Sequence, residues 1–104
     1  MRVDESVNGG TVELGVGQTL EVRLAENRTA GFRWQVEDGG ASVGSLEGDA
    51  YEAAAGPPGR GGTRVLSFKA ERSGEGEIKL AYRRPWEESA LPASTFAVRV
   101  RVGP

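Results

Sequence analysis

Thr19-Leu20-Glu21-Val22-Arg23-Leu24-Ala25, then Glu26-Asn27-Arg28-Thr29-Ala30-Gly31, then Phe32-Arg33-Trp34-Gln35-Val36-Glu37: this stretch decides the fold. Leu20, Val22 and Leu24 alternate with polar residues before a short polar loop, and Phe32, Trp34 and Val36 alternate after it. Successive side chains of an extended chain point to opposite faces, so a period of two marks a half-buried strand. The stretch therefore predicts two strands, B (19–25) and C (32–37), each with one apolar face turned inward.

The same pattern runs outward in both directions. Strand A is expected over Thr11 to Val16, with Val12, Leu14 and Val16 inward, followed by a tight turn at Gly17-Gln18. Strand E is expected over Thr63 to Glu71 with Leu66, Phe68 and Ala70 inward, and Ser73 to Gly76 turn the chain. Strand F covers Glu77 to Arg83 with Ile78, Leu80 and Tyr82 inward. Strand G covers Ser94 to Val102 with Phe96, Val98, Val100 and Val102 inward, leaving Arg99 and Arg101 to solvent. Between Asp38 and Ala55 the pattern weakens. Val43, Leu46 and Tyr51 fit one or two short strands, D, and Ala53 to Ala55 either extend one or form a helical turn stopped by Gly56-Pro57-Pro58. Seven or eight short strands in 104 residues, punctuated by glycine, predict a single all-β domain: an immunoglobulin-like antiparallel β-sandwich. Trp34 fits the buried Trp of such cores, but there is no Cys to form the disulfide that packs against it in antibody domains.

Composition excludes several functions. Without Cys and His the chain has no thiolate nucleophile, no imidazole base and none of the usual zinc or haem ligands. Glu87-Glu88 are adjacent acids in a loop, and consecutive acids rarely converge on one atom. The expectation is a protein that is not an enzyme, with no cofactor and no metal. A net charge of −2 argues against a nucleic-acid partner. No apolar run is long enough for a membrane segment or a signal peptide, so a cytoplasmic location is expected unless a leader has been removed.

In an antiparallel sandwich successive connections alternate between the two ends. The B–C, D–E and F–G loops are then expected at one end, and they hold the unusual residues: Asn27 to Gly31, Gly59-Arg60-Gly61-Gly62, and Arg84-Pro85-Trp86. Loops on a rigid scaffold are where binding function concentrates. Taken alone, Gly59 to Gly62 reads as a flexible hairpin. It is no phosphate loop, because no Lys-Ser or Lys-Thr follows it.

These residues together resemble the signatures of the chagasin-like inhibitors of papain-type cysteine peptidases. Asn27-Arg28-Thr29-Ala30-Gly31-Phe32-Arg33-Trp34 is similar to that family's Asn-Pro-Thr-Thr-Gly-aromatic-x-Trp segment, Gly59-Arg60-Gly61-Gly62 to its Gly-x-Gly-Gly loop, and Arg84-Pro85-Trp86 to its Arg-Pro-Trp loop. The resemblance implies reversible, tight-binding inhibition of a papain-type cysteine peptidase by a chain that is monomeric when free. It implies that Asn27, Arg28, Thr29, Ala30 and Gly31, bordered by Phe32, form a wedge over the catalytic thiol. Gly59, Arg60, Gly61 and Gly62 would line one wall of the cleft, and Arg84, Pro85 and Trp86 the other. Arg28 stands where the family has Pro, and Ala30 where it has a second Thr.

The physics of a groove-blocking tip agrees. Gly61 and Gly62 allow close backbone approach and positive φ. Pro85 limits the entropy lost on binding, and Trp86 offers a large rigid face of the kind enriched at interface hot spots. Some residues admit two readings. Asn27 either bonds its own loop backbone or touches the partner, or both. Asn27-Arg28-Thr29 also matches a glycosylation sequon. Trp86 is either exposed or packed on Pro85 or Pro92. Gly31 serves at least the turn before strand C, and Trp34 is expected in the core. The alternative function is a generic immunoglobulin-like protein-binding or adhesion module.

Overall fold

The inward residues of the alternating runs meet in one interior. Leu20, Val22, Leu24, Leu66, Phe68, Ile78, Leu80, Phe96, Val98 and Val100 are all fully buried. Each large side chain so buried stabilises by ~1.5–3 kcal/mol, against ~0–1 kcal/mol for an exposed ion pair. The apolar interior, not the surface charge, holds the sheets together.

The computed structural model describes residues 1–54, 61–87 and 91–104. Its strands are β1 (Arg2–Val3), β2 (Thr11–Gly15), β3 (Thr19–Glu26), β4 (Arg33–Gly39), β5 (Gly44–Ala53), β6 (Gly62–Ala70), β7 (Gly74–Arg83) and β8 (Ser94–Gly103). They form two four-stranded sheets, ordered β1-β3-β6-β5 and β2-β8-β7-β4. This is the immunoglobulin arrangement, with β2 to β8 as strands A to G. Short 3-10 turns occur at Glu5–Val7, Arg28–Ala30 and Pro85–Glu87. Among the described residues no helix is long and apolar enough to cross a membrane.

Several expectations need correction. The sandwich is not wholly antiparallel: β1 pairs parallel with β3, and β2 pairs parallel with β8. The first strand is in effect split, one piece on the edge of each sheet. Strand A ends at Gly15, and Val16 is 52% exposed because the chain turns away at Gly17 before it could face the core. Strand C begins at Arg33, not Phe32, and Val36 is 42% exposed. Its pairing with β7 shifts register between Val36 and Asp38, and such a bulge re-aims the residues beside it. The stretch after Asp38 forms one long strand, β5, with its own shift between Leu46 and Gly48. That shift breaks the period of two, which is why the sequence pattern fades there. The strand ends at Ala53, and the expected turn reaches Ala55, which lies outside the described residues. Gly74 to Gly76 belong to β7 rather than to the turn before it.

Trp34 lies in the interior, 7% exposed, and its indole N–H donates to the Ala25 carbonyl at 2.8 Å. Trp34→Ala is expected to cost ~3–5 kcal/mol of stability, measured by urea unfolding. A loss below about 1 kcal/mol would remove Trp34 from the core.

Candidate functional site

The loop between β3 and β4 is a closed turn built on Asn27. The Asn27 side-chain oxygen accepts from the Thr29 hydroxyl at 2.6 Å and from the Ala30 N–H at 3.3 Å. The Gly31 N–H donates to the Arg28 carbonyl at 3.0 Å, and the Phe32 N–H to the Asn27 carbonyl at 3.2 Å. Gly31 ends the turn at φ 87°, a left-handed conformation that costs other residues ~1–2 kcal/mol. Of the two roles open to Asn27, the structural one is present.

An aromatic and cationic frame carries this turn. Tyr82 on β7 stacks on Phe32 at 5.0 Å between ring centroids and packs against Trp34 at 4.8 Å. Its hydroxyl accepts from the Asn27 N–H at 2.7 Å. Arg84 donates from Nε to the Ala30 carbonyl at 2.9 Å, and its guanidinium lies 4.4 Å over the Phe32 ring. Trp86 is 70% exposed, yet its ring covers Gly31: a Cβ there would sit 2.4 Å from the Trp86 Cη2. The F–G segment thus grips the B–C turn through a charge and a ring. Of the two readings open to Trp86, exposure is the one observed, with one part of its ring against Gly31.

The D–E side is joined through a buried acid. Glu26, the last residue of β3, is 1% exposed. One of its oxygens accepts from Arg28 Nε at 2.7 Å; the other accepts from the Trp34 N–H at 2.8 Å and from Arg64 Nη1 at 2.9 Å. Arg64 also pairs with Asp49 on β5, with Nη2 at 2.7 Å from Oδ2. The Arg28 guanidinium lies 4.0 Å over the Tyr51 ring. Burial pushes the Glu26 carboxyl pKa upward, but the Trp34 N–H and the Arg28 and Arg64 guanidiniums outweigh it and hold it below the ordinary value. The hydrogen bond from Arg64 lowers that of Asp49.

The structure therefore brings Asn27, Arg28, Thr29, Ala30, Gly31, Phe32, Gly61, Gly62, Arg84, Pro85 and Trp86 to one end. Gly59 and Arg60 lie outside the described residues. Gly61 and Gly62 differ from expectation, since neither has positive φ. Gly62 is strand backbone paired with both Glu26 and Ala53, and its missing side chain serves an inward contact: a Cβ would lie 2.5 Å from the Tyr51 hydroxyl. Sequence reasoning overlooked Glu26, Arg64, Tyr51 and the hydroxyl of Tyr82. A signal existed for two of them. Glu26 falls in phase with Leu20, Val22 and Leu24, and Arg64 in phase with Leu66, Phe68 and Ala70. A charge in the inward phase at a strand end asks for a partner.

Two outcomes are expected. Gly31→Ala should cost ~1–2 kcal/mol and displace the Trp86 ring, read as a shift of Trp86 emission in a Trp34→Phe background. Unchanged emission would show that the ring does not rest on Gly31. The second concerns acid. A carboxyl whose folded pKa lies below its unfolded one contributes stability that is complete above the unfolded value and lost as pH falls through the folded value. Glu26→Gln should therefore be less stable than wild type at neutral pH, with the gap in Tm closing as pH drops below the ordinary glutamate value of 4.5. A gap constant down to strong acid would contradict the ionised, paired Glu26.

The family model described as chagasin family peptidase inhibitor I42 matches residues 13–100. Amoebiasin-1 of Entamoeba histolytica is 33% identical over 102 residues, covering 98% of this chain and 99% of its own length. Chagasin of Trypanosoma cruzi is 28% identical over 105 residues, covering 96% of each. Among solved structures, the cysteine protease inhibitor EhICP2 of Entamoeba histolytica superposes with a TM-score of 0.83, covering 98% of this chain and 93% of that one; at 24% identity this likeness speaks for the fold. With the family model spanning most of the sequence, the chain belongs to the chagasin family of peptidase inhibitors.

Proposed function

We propose that this protein inhibits papain-family cysteine peptidases reversibly and tightly, occluding the active-site cleft with the B–C, D–E and F–G loops. The Asn27–Gly31 turn is the wedge, with Arg84 to Trp86 on one side of it and Gly61 and Gly62 on the other. The observation that carries this reading is Trp86: a large ring left 70% exposed, yet fixed over Gly31 beside the wedge. An ordered, exposed aromatic loses little freedom on binding and buries much apolar area, the profile of a hot spot.

The wedge is also a poor substrate. A peptidase cleaves an extended segment laid along its groove. Residues Arg28–Ala30 form a 3-10 turn capped by Asn27 and closed at Gly31. Opening it would break the cap and the Arg84 bond to the Ala30 carbonyl. Polar support for the wedge comes from within the inhibitor, so the complex forms without unfolding the tip.

Titration of papain with the pure protein tests this. Activity should fall linearly to a stoichiometric end point and return on dilution, with the inhibitor's mass unchanged after long incubation. Trp86→Ala should weaken inhibition by at least ~2 kcal/mol while leaving Tm nearly unchanged. Full affinity in that variant, or a covalent adduct with wild type, would refute the reading.

A further inference from the structure

We infer that Arg28 is a positioning residue of the wedge, gripped between buried Glu26 and the face of Tyr51, and that it makes no contact with the peptidase. This rests on the inhibitory reading above and specifies how its central loop is kept in shape. Arg28 opens the 3-10 turn, and its carbonyl accepts the Gly31 N–H that closes it. The side chain doubles back from the tip. Its Nε reaches Glu26 Oε1 at 2.7 Å, and its guanidinium stacks 4.0 Å over Tyr51. A hold on the Arg28 side chain is thus a hold on the turn.

Both anchors are fixed. The other oxygen of Glu26 is held by the β4 backbone at Trp34 and by Arg64 of β6. Tyr51 is seated against Gly62, where no side chain keeps it off. The grip therefore joins the wedge to the β5–β6 pair. Turning Arg28 outward toward an acidic groove would strip a donor from a buried carboxylate, and a buried charge that loses a partner is strongly destabilising. The ion pair restrains the turn at the place where a proline ring would restrain it covalently. The binding-competent fraction of the free inhibitor rises accordingly, and apparent affinity scales with that fraction.

The first test needs no peptidase. Amide exchange at Ala30 and Gly31 is followed by NMR in the free protein. Arg28→Ala is expected to speed it about tenfold and Glu26→Gln at least as much, since it also weakens the bonds from Trp34 and Arg64, with the double variant no faster than Glu26→Gln alone because the Arg28–Glu26 pair is already broken there. Arg28→Pro removes the charge but restores the restraint, and should keep exchange near wild type. Tyr51→Leu, which leaves the carboxylate and its donors in place, is expected to speed exchange in the same direction, and it serves if Glu26→Gln does not fold. The second test is the affinity for papain. It should weaken about tenfold in Arg28→Ala and at least as much in Glu26→Gln, no further in the double variant than in Glu26→Gln, and recover in Arg28→Pro. Unchanged exchange in Arg28→Ala overturns the proposal. So does an affinity loss that adds in the double variant or is not recovered by proline, since either places Arg28 against the peptidase. Should wild type fail to inhibit papain, the inhibitory reading fails instead, and the exchange data still decide whether Arg28 positions the turn.

Discussion

One carboxylate, sealed from solvent at the end of β3, fixes the geometry of the loop end. Removing an ion from water costs several kcal/mol, and the cost is offset only when well-placed donors meet both carboxylate oxygens. Glu26 finds donors on three different elements: the backbone of β4 in the opposite sheet, Arg64 on β6 in its own sheet, and Arg28 in the connecting turn. Sliding one sheet over the other would strip at least one of them. The apolar interior brings the sheets together but is tolerant of small shifts; the carboxylate is not. It converts a greasy, non-directional contact into a defined crossing.

From that crossing the rest of the site follows. With β4 held against β3, Phe32 and Trp34 lie against Tyr82, whose hydroxyl reaches the Asn27 N–H. Arg84, next along the chain from β7, then meets the Ala30 carbonyl. Each segment of the tip is held by a neighbour from another part of the sequence, so the tip is assembled by tertiary contacts and not by its own local preference. This suits a protein that must meet a hydrolytic enzyme without being threaded into it. Support faces inward, and what remains outside is a capped turn with an exposed indole beside it.

Much of this was written in the alternation of residues. The runs of β3 and β8 keep the period of two from end to end, because interior strands of a sandwich have a core on one side only, and β6 departs from it at Val65, which is buried in the outward phase. The three tip segments stood out because they break that period with residues no strand requires. What the sequence hid has physical causes. Val36 and Leu46 sit beside register shifts, where two residues face one and the parity flips. The parallel pairings of β1 and β2 join segments far apart in sequence, and a five-residue strand looks the same whichever way its neighbour runs. Arg28 reads from sequence as a charge offered to solvent or to a partner. Only the three-dimensional position of Glu26 and Tyr51 shows that it is already engaged.

The placement of β8 sets a timetable for synthesis. Both β2 and β7 take their hydrogen bonds from β8, and β4 reaches the sheet only through β7. Until β8 emerges from the ribosome, β2 has no strand to pair with and waits with Val12 and Leu14 uncovered. Sheets closed by distant segments pay their loop entropy before they gain contacts and so form slowly. Before β8 is made, the strands of the first sheet and the β4–β7 pair all have partners while β2 has none, and an unpaired apolar strand is the part of such a chain most open to association with its own kind. Arg99 and Arg101 on the outer face of β8, the latter paired with Glu13 and Glu75, put charge on the very strand that ends that exposure.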